Sequence, residues 1–130
     1  MEKIILLDTS FLMACAEFKI DYFSEFARIF AFAYKPVIFD DVISELKRLE
    51  LEGDFKKKRV AKLALAIINK KNVTIIQTEN KGLVDDLFMN FANKNRIVAT
   101  IDGVLKKQLK NHNIPVIIVR QKKYLALIEC

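Results

Sequence analysis

Glycine and proline are scarce in this chain, with three and two among 130 residues. A many-turned all-β protein needs more of both, so the scarcity points to long helices joined by few turns. Cysteine is nearly absent: Cys15 and Cys130 form no CxxC pair, and a chain of this size needs no disulfide framework. Cys15 falls in an apolar stretch and reads as a small core residue. His112 is the single histidine, in the polar turn Asn111-His112-Asn113, so a zinc centre or a histidine-based triad lacks its parts. Long apolar runs are missing too. Ile4 to Leu7 is too short for a signal-peptide core, and no run approaches the length of a membrane span. The expectation is a soluble, cytoplasmic protein with no membrane partner.

What is present is a globular composition, 52% hydrophobic and 29% charged, at a length that suits one domain over residues 1–130. Basic residues outnumber acidic ones 22 to 16. That excess fits a polyanionic partner, but charge alone favours the plainer reading, a lysine-rich solvated surface. Ile4 to Leu7 reads as a strand buried on both faces, followed by Asp8-Thr9-Ser10 and a short helix through Phe18. Phe23, Phe26, Ala27, Phe30 and Tyr34 recur at helical spacing and predict a helix over residues 21–33, broken by Pro36. Val37 to Phe39 reads as a second strand, with Asp40 and Asp41 as N-caps of a helix to Glu50. After Gly53, the stripe Val60, Leu63, Ala64, Ile67, Ile68 predicts another helix. A third strand at Val73 to Ile76, a helix from Gly82, a fourth strand at Ile97 to Ala99, a helix from Gly103 to Asn111 and a last strand at Val116 to Val119 follow. This alternation predicts an α/β fold: a parallel sheet of about five strands with helices on both faces. Such sheets bind ligands beyond the carboxyl ends of their strands, where the strand order reverses.

Carboxylates fall at that end. Asp8 ends the first strand, and Asp102 stands just past the fourth. Taken singly, each is best read as a helix N-cap. Glu45 belongs to the spacing Val42, Glu45, Leu46, Leu49, which sets it on or beside a buried helix face. A buried carboxylate needs a basic partner or a cation, and this position alone does not choose between them. The stripe Val84, Leu87, Phe88, Phe91, Ala92 places Asp85 at the flank of a buried face and Asp86 toward water. Four acids at one end of a sheet would repel one another without a cation. Oxygen ligands favour Mg²⁺ or Mn²⁺ over zinc, and such ions activate water for attack on a phosphate. Lys56, Lys57, Lys58, Arg59 and Lys62 crowd a helix start, where the macrodipole disfavours cations. They are candidates for holding a nucleic-acid backbone, although a solvated face explains any one of them better.

The segments IILLDTS (Ile4 to Ser10), VIFDDVISELKRL (Val37 to Leu49), GLVDDLFMNFA (Gly82 to Ala92) and IVATIDGVLK (Ile97 to Lys106), in this order, resemble the PIN domain family. The resemblance covers nearly the whole chain. It implies an α/β/α sandwich and Mg²⁺- or Mn²⁺-dependent cleavage of single-stranded RNA. Asp8, Glu45, Asp85 and Asp102 would be the metal-binding and catalytic acids, with Thr9, Ser10 and Thr100 as supporting hydroxyls. A homodimer is frequent in the family. The chain's ending looks more like the archaeal and eukaryotic PIN nucleases of ribosomal RNA maturation; VapC-type toxins, which work with an antitoxin partner, are the nearby alternative. Ser10 and Ile101 stand where many members carry Asn, and Val104 where many carry a further acid.

Two other classes compete with the nuclease. A binding module of the same fold, holding RNA or a ribosome-assembly partner, would suit the missing acid at Val104. A phosphotransfer or receiver domain would need a second Asp at Ser10, or a phosphoacceptor near Ile76-Gln77-Thr78, and has neither.

Overall fold

The computed structural model describes residues 3–71, 73–78 and 96–129. The continuous apolar runs become strands: β1 (Lys3–Leu7), β2 (Tyr34–Phe39), β3 (Thr74–Ile76), β4 (Arg96–Ala99) and β5 (Val116–Arg120), joined by a sixth, β6 (Tyr124–Ile128). The helices are α1 (Thr9–Phe18), α2 (Tyr22–Ile29), α3 (Asp40–Glu52), α4 (Phe55–Lys71) and α5 (Gly103–Asn111). The helix expected from Gly82 lies outside the described residues, and Asp85 and Asp86 with it.

The strand order is β3-β2-β1-β4-β5-β6. β1 lies inside the sheet, parallel to β2 on one side and to β4 on the other. The chain steps outward from β1 through β2 to β3, then crosses to β4 beside β1. The order therefore reverses between β1 and β4, and a crevice opens beyond their carboxyl ends. The ends are pinned across that line: the Asp8 N–H donates to the Ala99 carbonyl at 3.0 Å, and the Thr100 N–H to that of Ile117 at 3.2 Å.

The sheet is mixed rather than wholly parallel, because β6 turns back antiparallel on β5. This strand was not expected from the sequence. The turn before it, residues 121–123, holds Gln121 and Lys122 at positive φ (54° and 56°) without a glycine or asparagine. α2 is also shorter than expected, ending at Ile29, and Pro36 lies inside β2 opposite Ile5. Proline is tolerated there because β3 pairs with β2 only from Val37 onward.

One core unites the sheet with α1, α2, α3, α4 and α5. Phe26 is wholly buried, and its ring meets those of Phe11, Tyr22, Phe30 and Tyr34 at centroid distances of 5.8–6.4 Å. Core packing thus accounts for most of the phenylalanines of residues 18–32; Phe32 alone among them is largely exposed. Cys15 is buried in the same core, and burial pushes its thiol far up, which leaves it unreactive. α3 and α4 meet closely at Gly53. A Cβ there would stand 2.7 Å from the Leu49 carbonyl oxygen and 2.8 Å from Lys57 Cβ, so glycine is required by close approach. Among the described residues no helix is long and apolar enough to cross a membrane.

Candidate active site

Asp8 stands at the end of β1 and at the N-cap position of α1, with extended backbone (φ −86°, ψ 156°). The sequence favoured an N-cap here, but the carboxylate caps nothing: it makes no hydrogen bond to the α1 backbone. Its Oδ2 accepts instead from two hydroxyls, those of Ser10 at 2.9 Å and of Thr100. Each hydroxyl is itself oriented by a backbone N–H of the segment that follows β4. Ser10 Oγ accepts the Ile101 N–H at 3.2 Å, and Thr100 Oγ1 accepts the Asp102 N–H at 3.1 Å. A hydroxyl has one proton; the two hydroxyls lie 3.2 Å from each other, and Asp8 Oδ2 is the nearer acceptor for both. Two converging relays therefore fix one oxygen of a carboxylate that is only 7% exposed. Asp8 Oδ1 takes no hydrogen bond among the described residues.

Asp102 follows β4 and does cap its helix. Its Oδ1 accepts from Val104 N at 2.9 Å and Leu105 N at 3.3 Å at the start of α5. Oδ2 is left without a hydrogen-bond partner among the described residues. Both aspartates thus lie at the β1–β4 crevice, each with one oxygen engaged by the protein and the other without a hydrogen bond among the described residues. The Thr100 hydroxyl joins them, bonded to the carboxylate of one and the backbone of the other.

The remaining expected residues are less tightly drawn in. Glu45 is half-buried, in the second turn of α3, a helix that starts at the carboxyl end of β2. Among the described residues no three of His, Cys, Asp and Glu gather closely enough to hold a metal ion. Asp85 lies outside the described residues. Thr9 does not support Asp8; it is buried, and its hydroxyl has no partner among the described residues. Lys56, Lys57, Lys58, Arg59 and Lys62 are all exposed on α4. Lys56 pairs with Glu17 of α1 at 2.9 Å, and the Lys57 N–H donates to the Asp54 carboxylate at 2.9 Å, which caps the helix against its cationic start.

A neighbouring cluster was missed by sequence reasoning. Asp40 is the first residue of α3 rather than its N-cap, which is Phe39. Its Oδ1 accepts from the Thr78 hydroxyl at 2.7 Å and the Thr78 N–H at 3.1 Å, tying the segment after β3 to the start of α3. The Thr78 hydroxyl, first, and then the backbone N–H groups hold the Asp40 carboxyl below its usual range. No spacing rule pairs Asp40 with Thr78; only the β2–β3 register brings them together.

An oxygen-only donor set on this crevice suits a hard cation. Mg²⁺ in particular binds through one or two carboxylates and keeps several waters. Asp8 and Asp102 are the two carboxylates that the described residues bring to this crevice, linked through the Thr100 hydroxyl. Nitrogen and sulfur donors are missing from the crevice among the described residues, which argues against a structural zinc.

Known proteins resemble this chain in both sequence and structure. It is 37% identical over 125 residues to "Ribonuclease VapC4" of Methanocaldococcus jannaschii, covering 95% of each chain. Its fold superposes on that of the PIN domain endonuclease Utp24 with a TM-score of 0.78 and 24% identity, over 98% of this chain and 92% of the other. A domain of a functionally unknown protein from Methanocaldococcus jannaschii matches at a TM-score of 0.58 and 16% identity, over 91% of each chain. The pattern of the "PIN like domain" family matches residues 5–122. This chain belongs to the PIN-like domain family.

Proposed function

We propose that the protein is a Mg²⁺- or Mn²⁺-dependent endoribonuclease that hydrolyses phosphodiester bonds of single-stranded RNA. The observation that carries this reading is the Asp8 carboxylate, buried at the β1–β4 crevice and clamped on one oxygen by the Ser10 and Thr100 hydroxyls. A carboxylate held so firmly with its second oxygen available is built to place a cation, not to cap a helix. Asp8 and Asp102 would hold the principal ion, and Glu45 and Asp85 would complete the set, directly or through water. A divalent ion in that position supplies an activated water and charge stabilisation at the phosphate. The protein's own part is to orient that water through Glu45 and Asp85 and to keep Asp8 from turning. The exposed cations of α4 would hold the RNA backbone.

Two biological settings suit this chemistry. One is ribosomal RNA processing, with an assembly partner. The other, favoured by the 37% identity to a VapC-named ribonuclease, is a toxin-type nuclease with an antitoxin partner. A cytoplasmic homodimer fits either. Cleavage of a labelled single-stranded RNA is expected with Mn²⁺ or Mg²⁺ and not in EDTA, and Asp8→Asn should lower it by at least a hundredfold. Folded native protein that fails to cleave with either Mn²⁺ or Mg²⁺ would overturn the nuclease reading, cleavage that persists in EDTA would overturn the metal dependence, and RNA binding without cleavage would shift the reading to a binding module.

A further inference from the structure

The turn between β5 and β6 carries Arg120, Gln121, Lys122 and Lys123, all exposed. We infer that this turn, with Tyr124 beside it, is a second contact for single-stranded RNA: the cations on backbone phosphates, the tyrosine ring under an unpaired base. The inference rests on the nuclease reading for the direction in which the strand runs.

Its position comes from the sheet. β5 is parallel to β4, with Ala99 paired to Ile117. Arg120 ends β5 three residues after Ile117, and Asp102 stands three residues after Ala99, past the end of β4, so the turn projects from the same end of the sheet as the acids. Neighbouring strands lie about 4.8 Å apart. The far side is bounded by α1, which starts just after Asp8 and ends at Phe18. The Lys122 ammonium sits over the Phe18 ring, 5.4 Å from its centroid. Ten helical residues span about 15 Å. The patch is therefore a few nucleotides from the crevice, close enough to engage the strand whose scissile bond lies at Asp8.

Its chemistry is that of a single-strand platform. Arg120 is the cross-strand partner of Tyr124, a ring 37% exposed at the start of β6. Cations that track phosphates beside an aromatic that stacks a base are the usual means of binding single strands without strong sequence preference. Among the described residues none of Arg120, Lys122 and Lys123 is ion-paired to a carboxylate, so their charge is available to a polyanion. The backbone holds them in a fixed array, since the Lys123 N–H closes the turn on the Arg120 carbonyl at 3.0 Å.

The test is binding of a fluorescein-labelled single-stranded oligoribonucleotide in EDTA over a range of salt, where no cleavage intervenes. The Arg120→Gln, Lys122→Gln, Lys123→Gln triple variant should bind at least tenfold more weakly. Its plot of log affinity against log salt should be shallower by about 2, the value for three lost phosphate contacts on a single strand. Tyr124→Ala should lose about tenfold with the slope unchanged. Arg120→Gln with Lys123→Gln leaves the Lys122–Phe18 contact in place and serves if the triple variant unfolds; its slope should fall by about 1.4, two thirds as much. A control neutralising Lys35, Lys47 and Lys70 separates local contact from net charge. If the turn variants match this control, or if the native chain binds no RNA in EDTA, the proposal is overturned. An acidic protein partner on the turn would give that same result. Cleavage with Mn²⁺ is scored separately, so a chain that binds through the turn but never cleaves overturns the nuclease reading alone.

Discussion

Thr100 is fully buried, and its hydroxyl meets two demands at once: it donates to Asp8 Oδ2 and accepts the Asp102 N–H. Valine has the same shape without the hydroxyl. Thr100→Val would leave Asp8 with Ser10 alone and strand the Asp102 N–H, at a cost to stability of about 1–3 kcal/mol. Its effect on cleavage should be larger. Groups that orient a metal ligand typically change metal affinity or activity by about 10–100-fold when removed. The expected signature is a raised Mn²⁺ requirement, with activity partly recovered at high metal, and Thr100→Ser should behave almost as the native chain. Ser10→Ala should be milder, because Thr100 still holds Asp8. An unchanged metal titration in Thr100→Val would remove the hydroxyl from any positioning role.

At the scale of elements, much of the chain was legible. α5 was read to its residue boundaries because Asp102 caps it and Leu105 and Leu109 mark one face. The buried strands β1 and β4 stood out as apolar runs. β6 was not legible, since Gln121-Lys122 carries none of the glycine or asparagine that usually marks a tight hairpin. α2 was overextended because Phe30 and Tyr34 continue the helical period while packing into the core from extended backbone. The candidate acids were legible as positions but not as partners: the clamp on Asp8 comes from a hydroxyl 92 residues away. β6 also raises its own prediction. It is an edge strand, and Leu125 on it is served by side chains in place of a seventh strand. The Leu125 N–H donates to Glu25 at 2.8 Å, and its carbonyl accepts from Arg28 at 2.8 Å. Such cover protects an open edge. Arg28, first, and then the Leu125 N–H hold the Glu25 carboxyl below its usual range. A depressed carboxyl contributes stability that is present above the unfolded value of about 4.3 and is lost as pH falls through the lower folded value. Glu25→Gln should therefore lower Tm by a few degrees at pH 7, and the gap to the native chain should close below about pH 4. A gap that stays constant from pH 7 to pH 3 would show that the Glu25 charge plays no part in docking α2 on the edge.

At the scale of the whole molecule, the crevice and the core are one cooperative unit. Asp8 ends the β1 run Ile5, Leu6, Leu7, each fully buried, and Thr100 follows the equally buried Val98 and Ala99 of β4. Unfolding the sheet must dissolve the crevice, so an ion that binds only the folded crevice must raise the stability of the entire domain. At a free metal concentration a hundredfold above Kd the gain is about 2.7 kcal/mol. For a domain of this size that corresponds to a rise in Tm of roughly 10 °C. Mn²⁺ should produce this rise in the native chain and not in Asp8→Asn. The asparagine can keep its carbonyl oxygen on the Ser10 and Thr100 hydroxyls, which preserves the fold. Its amide then occupies the place of Oδ1 and offers the cation no charge. Without metal, the variant should melt at or above the native temperature, since it removes a nearly buried charge from a site also flanked by Asp102. Calorimetry with and without Mn²⁺ on both chains checks this independently of any RNA. An equal Mn²⁺ shift in both would place the ion elsewhere in the molecule. A large loss of metal-free stability in Asp8→Asn would mean that the carboxylate serves the fold rather than the cation.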